Sequence, residues 1–340
     1  MQSAAGVAAS AIGDLFPDMP LAFDFDDVSL VPRVRSSLPH RSEADPSVDF
    51  GPLRLSVPLI GSPMPDVCGV EMCRALRDHG ALGILPRFQA IAEQAAELRE
   101  VGTAGGSVAA AVGVTGDFRE RFARIVDAGC RIICLDTANG AHEQVALAAR
   151  WIRQQDESVF LIAGNVATAE TFRWLEDLGV DAIRVGIAGG SVCETRTETG
   201  VHAPTPYSVY ECARVRRRAL IVADGGTRSP ADMCKLLALG ADCVMVGSAL
   251  AGTHEAPGRV LVVDGKKFKI MRGAASFSVQ QEFAGEDPEY IEGAESIVAY
   301  KGRVADVVQR YVAGLRSSMS YMDARTLDEY RSNASFIRLR

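Results

Sequence analysis

The sequence predicts an α/β protein built as one (β/α)8 TIM barrel. Three observations carry the prediction. Eight short apolar runs are rich in β-branched residues, helix-like segments lie between them, and polar or glycine residues stand where the runs end. The runs are "PLIGSPM" (58–64), "ALGILP" (81–86), "VAAAVGV" (108–114), "RIICLDT" (131–137), "VFLIAGNV" (159–166), "DAIRVGI" (181–187), "LIVADGG" (220–226) and "CVMVGS" (243–248). Their starts lie roughly 22 to 28 residues apart, with one longer interval, which is the length of one strand–helix unit. A doubly wound open sheet would use fewer strands and place a GxGxxG after the first. Neither holds here.

The segments between the runs read as helices. "GVEMCRALRDHG", "DFRERFARIVDAG", "TAETFRWLEDLG" and "SPADMCKLLALG" carry apolar residues at helical spacing, and each ends in the glycine expected just past a helix. After the eighth run, "RVLVVDGKKFKIMRG" predicts a β-hairpin turning at Asp264-Gly265. "AASFSVQQEFAGEDPEYIEGAESIVAYKG" is polar and is expected to be an irregular cover over the barrel mouth. "RVADVVQRYVAGLRSSM" returns to a helix. No linker divides the chain, so residues 1–22 are read as an N-terminal arm and residues 23–340 as a single barrel domain.

Composition narrows the function classes. The chain has 340 residues, 48% hydrophobic and only 6% aromatic, which suits a parallel sheet wrapped by helices. A formal net charge of −7 argues against non-specific nucleic-acid binding. The basic run Arg214 to Arg218 is expected to be a solvated C-terminal helix turn. Eight cysteines form no CxxC pair and mostly sit in apolar runs, as in a reducing compartment. Five histidines show no zinc-ligand spacing. The N-terminal stretch lacks the basic start of a signal peptide and no apolar run approaches a membrane span, so a cytoplasmic protein is expected.

In a barrel the active site belongs to the loops after the strands. Here those ends read Ser62-Pro63-Met64, Asp136-Thr137-Ala138-Asn139-Gly140, Gly164-Asn165-Val166, Asp224-Gly225-Gly226 and Gly247-Ser248. The longest interval follows the sixth run and contains "VGIAGGSVCETRTETG", where Cys193 directly follows a glycine-rich turn. Such turns bring backbone N–H groups to an anion, and glycine turns after the seventh and eighth strands are common phosphate sites. Asp224 beside one of them is suited to ribose hydroxyls. A nucleoside monophosphate is therefore favoured over a free sugar phosphate.

The motifs "FDDVSLVPR", "GSPM", "LDTANG", "AGNVATAE", "GGSVCETR", "ADGGTRSPAD", "VMVGSALAGTHEAPG", "EGAESIVAYKG" and "FIRL" together resemble the IMP dehydrogenase/GMP reductase family, in order from Phe23 to Leu339. The resemblance implies a barrel, usually a homotetramer, that binds a 6-oxopurine nucleotide and a nicotinamide cofactor. It makes Cys193 the nucleophile that attacks purine C2 to form a thioimidate. It assigns the phosphate to Ser191, Gly226, Gly247 and Ser248, the ribose to Asp224, and the purine pocket to Ser62 and Met64, with Gly273 also on the substrate side. The cofactor falls to Asp136, Ala138, Asn139 and Gly140. Backbone carbonyls of Gly186, Ala188, Gly190 and Cys193 would coordinate a monovalent cation such as K+, with Ala188 standing where the family usually has glycine.

Within the family the chain is closer to the reductase branch. The segment between Ser276 and Glu292 holds no Arg-Tyr pair, which the dehydrogenase branch uses to activate water. "DTANG" is the reductase form of the fourth-strand signature, and Thr195 and Glu292 fall where that branch keeps its proton-handling pair. No regulatory CBS pair interrupts "REVGTAGGSVAAAVGV". Met271 and Ala274 replace the usual Tyr and Met, Pro86 a common His, and Thr205 a common Gln. The expected reaction is NADPH-dependent reductive deamination of a guanine or guanine-like nucleotide, giving the hypoxanthine nucleotide and ammonia. The alternatives are a dehydrogenase without CBS domains, oxidising IMP to XMP with NAD, and a non-catalytic purine nucleotide-binding barrel.

Overall fold

The computed structural model describes residues 20–102, 108–273, 275–284 and 293–339. Its centre is a closed ring of eight parallel strands in chain order: Leu59–Gly61, Leu82–Leu85, Ala109–Val112, Ile132–Asp136, Phe160–Val166, Ala182–Val185, Leu220–Asp224 and Cys243–Val246. The ring shuts where Val244, Met245 and Val246 register with Leu59, Ile60 and Gly61. All eight apolar runs supply a barrel strand, as expected.

Strand alternation splits the core into two layers. Ile60, Leu82, Ile84, Ala109, Ile162, Val222 and Met245 pack together inside the barrel. Leu59, Leu85, Ala110, Ile133, Leu161, Ile221 and Val244 belong to the outer layer beneath the helices. A small hairpin, Val48–Phe50 with Leu53–Leu55, closes the amino end of the barrel. Phe50 is fully buried in the inner layer, and its ring centroid lies 4.8 Å from that of Phe160. Sequence reading did not anticipate this hairpin, because three-residue strands carry too little periodicity to register.

The predicted helices form as Val70–Asp78, Phe118–Asp127, Ala169–Asp177 and Pro230–Ala238. The last opens with a reciprocal capping box: Ser229 accepts from the Asp232 N–H, and the Asp232 carboxylate accepts from the Ser229 N–H. At the hairpin Leu261–Val263/Lys266–Arg272, Asp264 and Gly265 both adopt positive φ (50° and 74°), the geometry of a two-residue type I′ turn.

The cover departs from expectation. It contains a helix, Phe277–Ala284, and a strand, Glu295–Ala299, that pairs antiparallel along Lys266–Arg272 to make a three-stranded sheet. "ESIVA" is too short to signal a strand alone; it acquires its partner only from the exposed hairpin edge. Val304–Tyr321 is the expected long helix, and Val28–Leu30 pairs antiparallel with Phe336–Arg338. Of the N-terminal arm, residues 1–19 lie outside the described residues.

The basic run is more than a solvated turn. The Glu176 carboxylate accepts backbone N–H bonds from Arg217, Arg218 and Ala219 at 2.9, 2.7 and 2.8 Å. Arg216 pairs with buried Asp242 at 2.6 Å. The connection into the seventh strand is thus tied to the helix Ala169–Asp177 through Glu176 and to the start of the eighth strand through Asp242. No helix among the described residues is long and apolar enough to cross a membrane.

Candidate functional site

The carboxyl ends of the strands surround a cavity of about 650 Å³, within the roughly 300–1,000 Å³ typical of ligand sites. Of the expected substrate residues, Ser62, Met64, Ser191, Asp224, Gly226, Gly247, Ser248 and Gly273 all line it, as do Cys193 and Thr195. Asp136 and Ala138 line it as well. Asn139 and Gly140 do not. Asn139 accepts from the Ala141 N–H at 3.0 Å, forming a local turn. Gly140 packs on backbone, and a Cβ there would lie 2.9 Å from both Gly164 Cα and the Asn165 carbonyl oxygen. Glu292 and Ala274 lie outside the described residues.

Cys193 is the half-buried member of the cysteine set; the other seven are buried. Its Sγ lies 3.2 Å from Thr195 Oγ1, at the first turn of the short helix Thr195–Thr199. The Cys193 N–H donates to the Gly190 carbonyl at 3.1 Å, which folds the glycine turn back under the thiol. Ala188 within this turn holds φ at 61°, the left-handed region that glycine enters freely and alanine does not. So the turn keeps a glycine-like path although the residue is alanine. The Gly186 carbonyl accepts from Asn165 Nδ2 at 2.7 Å. The turn carbonyls are oxygen donors with a lone pair to spare, a set that suits a hard monovalent cation.

Beneath these residues lies a charged network that sequence reading missed. Arg184, in the sixth strand, donates to Asp136 at 2.6 Å and to Asp224 Oδ2 through Nε and Nη2 at 3.1 and 2.8 Å. Asn165 Nδ2 adds a third bond to that Asp224 oxygen at 2.8 Å, and Arg87 approaches Asp136 at 3.4 Å. Burial would raise the Asp136 pKa, but the Arg184 and Arg87 charges outweigh it and hold the carboxyl below its usual range. Burial pushes the Cys134 thiol beside Arg184 up to about 12, so it is inert. The available signal was Arg184 itself, a charge in the middle of the otherwise apolar "AIRVGI".

The turn after the eighth strand has its own support. Lys301 Nζ donates to the Ser248 carbonyl and, at 3.5 Å, to that of Ala249. Met271 is buried in the cavity wall, and a Cβ at Gly247 would lie 3.3 Å from Met64 Sδ and 3.6 Å from the Met271 methyl. Two thioethers therefore flank the turn expected to hold phosphate, and neither donates a hydrogen bond.

Fold and cavity together define a parallel β/α barrel with a thiol and a carboxylate–guanidinium network converging at its open end. The model of the IMP dehydrogenase/GMP reductase domain matches residues 22–340. The chain belongs to that family. It is 42% identical over 245 residues to an inosine-5'-monophosphate dehydrogenase of Nitrosopumilus maritimus, covering 68% of this chain and 52% of that protein. It is 41% identical over 241 residues to the inosine-5'-monophosphate dehydrogenase of Bacillus subtilis, covering 68% and 49%. The matches thus span about half the length of these relatives. Among solved structures it resembles a cysteine-to-alanine variant of GMP reductase from Trypanosoma brucei in complex with guanosine 5'-monophosphate. That likeness has a TM-score of 0.90 at 27% identity, over 96% of this chain and 97% of that one.

Proposed function

We propose that the protein is a GMP reductase-like oxidoreductase that reductively deaminates a guanine or guanine-like nucleoside monophosphate with NADPH. The observation that carries this reading is the 3.2 Å pair of Cys193 Sγ and Thr195 Oγ1 in a cavity large enough for a nucleotide. The Cys193 thiolate adds to purine C2, and the C2–N bond breaks as the amino group leaves as ammonia, taking a proton handled by the Thr195 hydroxyl and Glu292. NADPH, bound near Asp136 and Ala138, supplies the hydride that C2 needs. Cleavage of the C2–S bond then returns the thiolate and frees the hypoxanthine nucleotide. Asp224 holds the ribose. Ser191, Gly226, Gly247 and Ser248 hold the phosphate, and Ser62 and Met64 face the base. A K+ ion on the carbonyls of the 186–193 turn would fix the loop without entering the chemistry.

The near-complete overlap with a structure bearing guanosine 5'-monophosphate supports the reductase reading. Higher identity to the dehydrogenases favours the second one, oxidation of IMP to XMP by the same thiol. Both are tested together. Purified protein given GMP or a deazaguanine nucleotide with NADPH should oxidise cofactor and release ammonia, and given IMP with NAD it should form little XMP. Robust XMP formation with no NADPH oxidation on any guanine-like nucleotide would reverse the assignment. Nucleotide binding without turnover in either direction would make it a binding barrel. A cytoplasmic homotetramer belongs to the same proposal, and Val263, Ile270 and Ile297, exposed on one face of the cover sheet, are suited to a subunit contact.

A further inference from the structure

The loop that carries Cys193 is not held by its own elements alone. Gly293 forms an antiparallel bridge with Cys193 and a parallel bridge with Ser276. The Ala294 N–H donates to the Val192 carbonyl at 2.9 Å, and the Ala294 carbonyl accepts from the Gly273 N–H, also at 2.9 Å. The Ser276 N–H completes the set by donating to the Gly273 carbonyl at 3.0 Å. Three backbone segments therefore meet as one seam: the nucleophile loop, the end of the hairpin and the start of the last cover strand.

Two glycines make the seam possible. A Cβ on Gly293 would lie 2.6 Å from Ser276 N and 2.8 Å from the Ala275 carbonyl carbon. A Cβ on Gly273 would lie 2.8 Å from the Val192 carbonyl oxygen. The obstructing atoms are all backbone, which cannot swing aside as a side chain would. The requirement is closeness of approach, since neither glycine adopts positive φ.

We propose that Gly273 and Gly293 are positioning residues for the Cys193 thiol, their seam fixing its height over the cavity and tying it to the strand Glu295–Ala299. The proposal rests on Cys193 being the nucleophile, but not on which purine reaction it serves. A methyl group at either position would wedge the seam and displace the thiol, and a misplacement near 1 Å can cost about a hundredfold in rate. The nucleotide contacts assigned to Asp224, Gly226, Gly247 and Ser248 lie on other loops and would keep their places, whereas Ser191 shares the loop of Cys193 and Gly273 lines the cavity, so part of the affinity falls with the thiol's displacement.

The test compares Gly293→Ala and Gly273→Ala with Gly51→Ala in the full chain. Gly51 has φ +60°, and a Cβ there would lie 2.3 Å from the Phe160 ring, so this control also destabilises, but at the opposite end of the barrel. Melting temperature, GMP affinity, kcat, and the pH profile of Cys193 alkylation by iodoacetamide are measured for each. The seam variants should lose about tenfold or more in kcat and shift the alkylation profile, with any loss of GMP affinity smaller than the fall in kcat. Gly51→Ala should lower the melting temperature alone. Seam variants with wild-type alkylation and kcat, or an equal loss in Gly51→Ala, would overturn the proposal. Should the seam variants not fold, hydrogen exchange on the wild type decides. Maleimide on Cys193 should speed exchange in peptides containing the Gly273 and Ala294 amides, and unchanged exchange there would overturn it. Failure of the wild type to turn over any purine nucleotide would remove the proposed reaction, yet the alkylation profiles would still judge the seam.

Discussion

Arg184 reaches Asp136 across the barrel interior at 2.6 Å, both side chains nearly buried, and its other nitrogens hold Asp224. One guanidinium thereby fixes the carboxylate assigned to ribose and the carboxylate on the cofactor side. Removing it strands two charges. Arg184→Met is expected to cost about 3–5 kcal/mol of unfolding free energy in urea titrations, the usual penalty for breaking a buried pair from one side. A loss under about 1 kcal/mol would mean that water or Arg87 replaces it.

The same pair sets an acid limit on stability. Asp136 has its carboxyl pKa lowered on folding, net of burial, by Arg184 and Arg87. Its contribution is therefore fully present above the unfolded value near 3.8 and is lost as pH falls through the lower folded value. Asp136→Asn should be less stable than wild type at neutral pH, with the gap closing in strongly acidic buffer. A gap independent of pH would show that Asp136 matters by packing alone.

Ala188 occupies a left-handed conformation that costs an L-residue roughly 1–2 kcal/mol, while glycine adds flexibility to the unfolded chain worth about 0.4–1 kcal/mol the other way. Ala188→Gly should therefore raise the melting temperature slightly, by about 1–3 °C. A fall would show that the alanine methyl makes a compensating contact.

Met271 places a thioether beside Gly247, in the turn proposed to hold the phosphate. Met271→Tyr should tighten nucleoside monophosphate binding by about 1 kcal/mol, or about fivefold, and leave the free nucleoside unaffected. Calorimetry with GMP and guanosine separates the two. An equal gain for both would assign the residue to the base or ribose instead.

Legibility followed the length scale of the signal. Strands such as "VFLIAGNV" and helices ending in Gly179 or Gly240 announce themselves through runs long enough to show a period. Cys193, Thr195, Ser62 and Asp224 were legible because motif and strand-end position agreed, and the structure gathers them in one cavity. Phe50 and Ile297 were not, since their strands exist only through partners distant in sequence. Arg184 was overlooked because its meaning lies in Asp136 and Asp224, 48 and 40 residues away. Asn139 and Gly140, which the motif puts beside the cofactor, form a local turn next to Ala138, just outside the residues that line the cavity.

The hairpin carrying Phe50 stoppers the amino end of the barrel, and the cavity opens at the carboxyl end. Traffic is therefore one-way in and the same way out. A molecule settled against the Met245 layer is thus walled in by protein on every side but that mouth. Phe50 and the packed interior layer above it make that wall a solid floor.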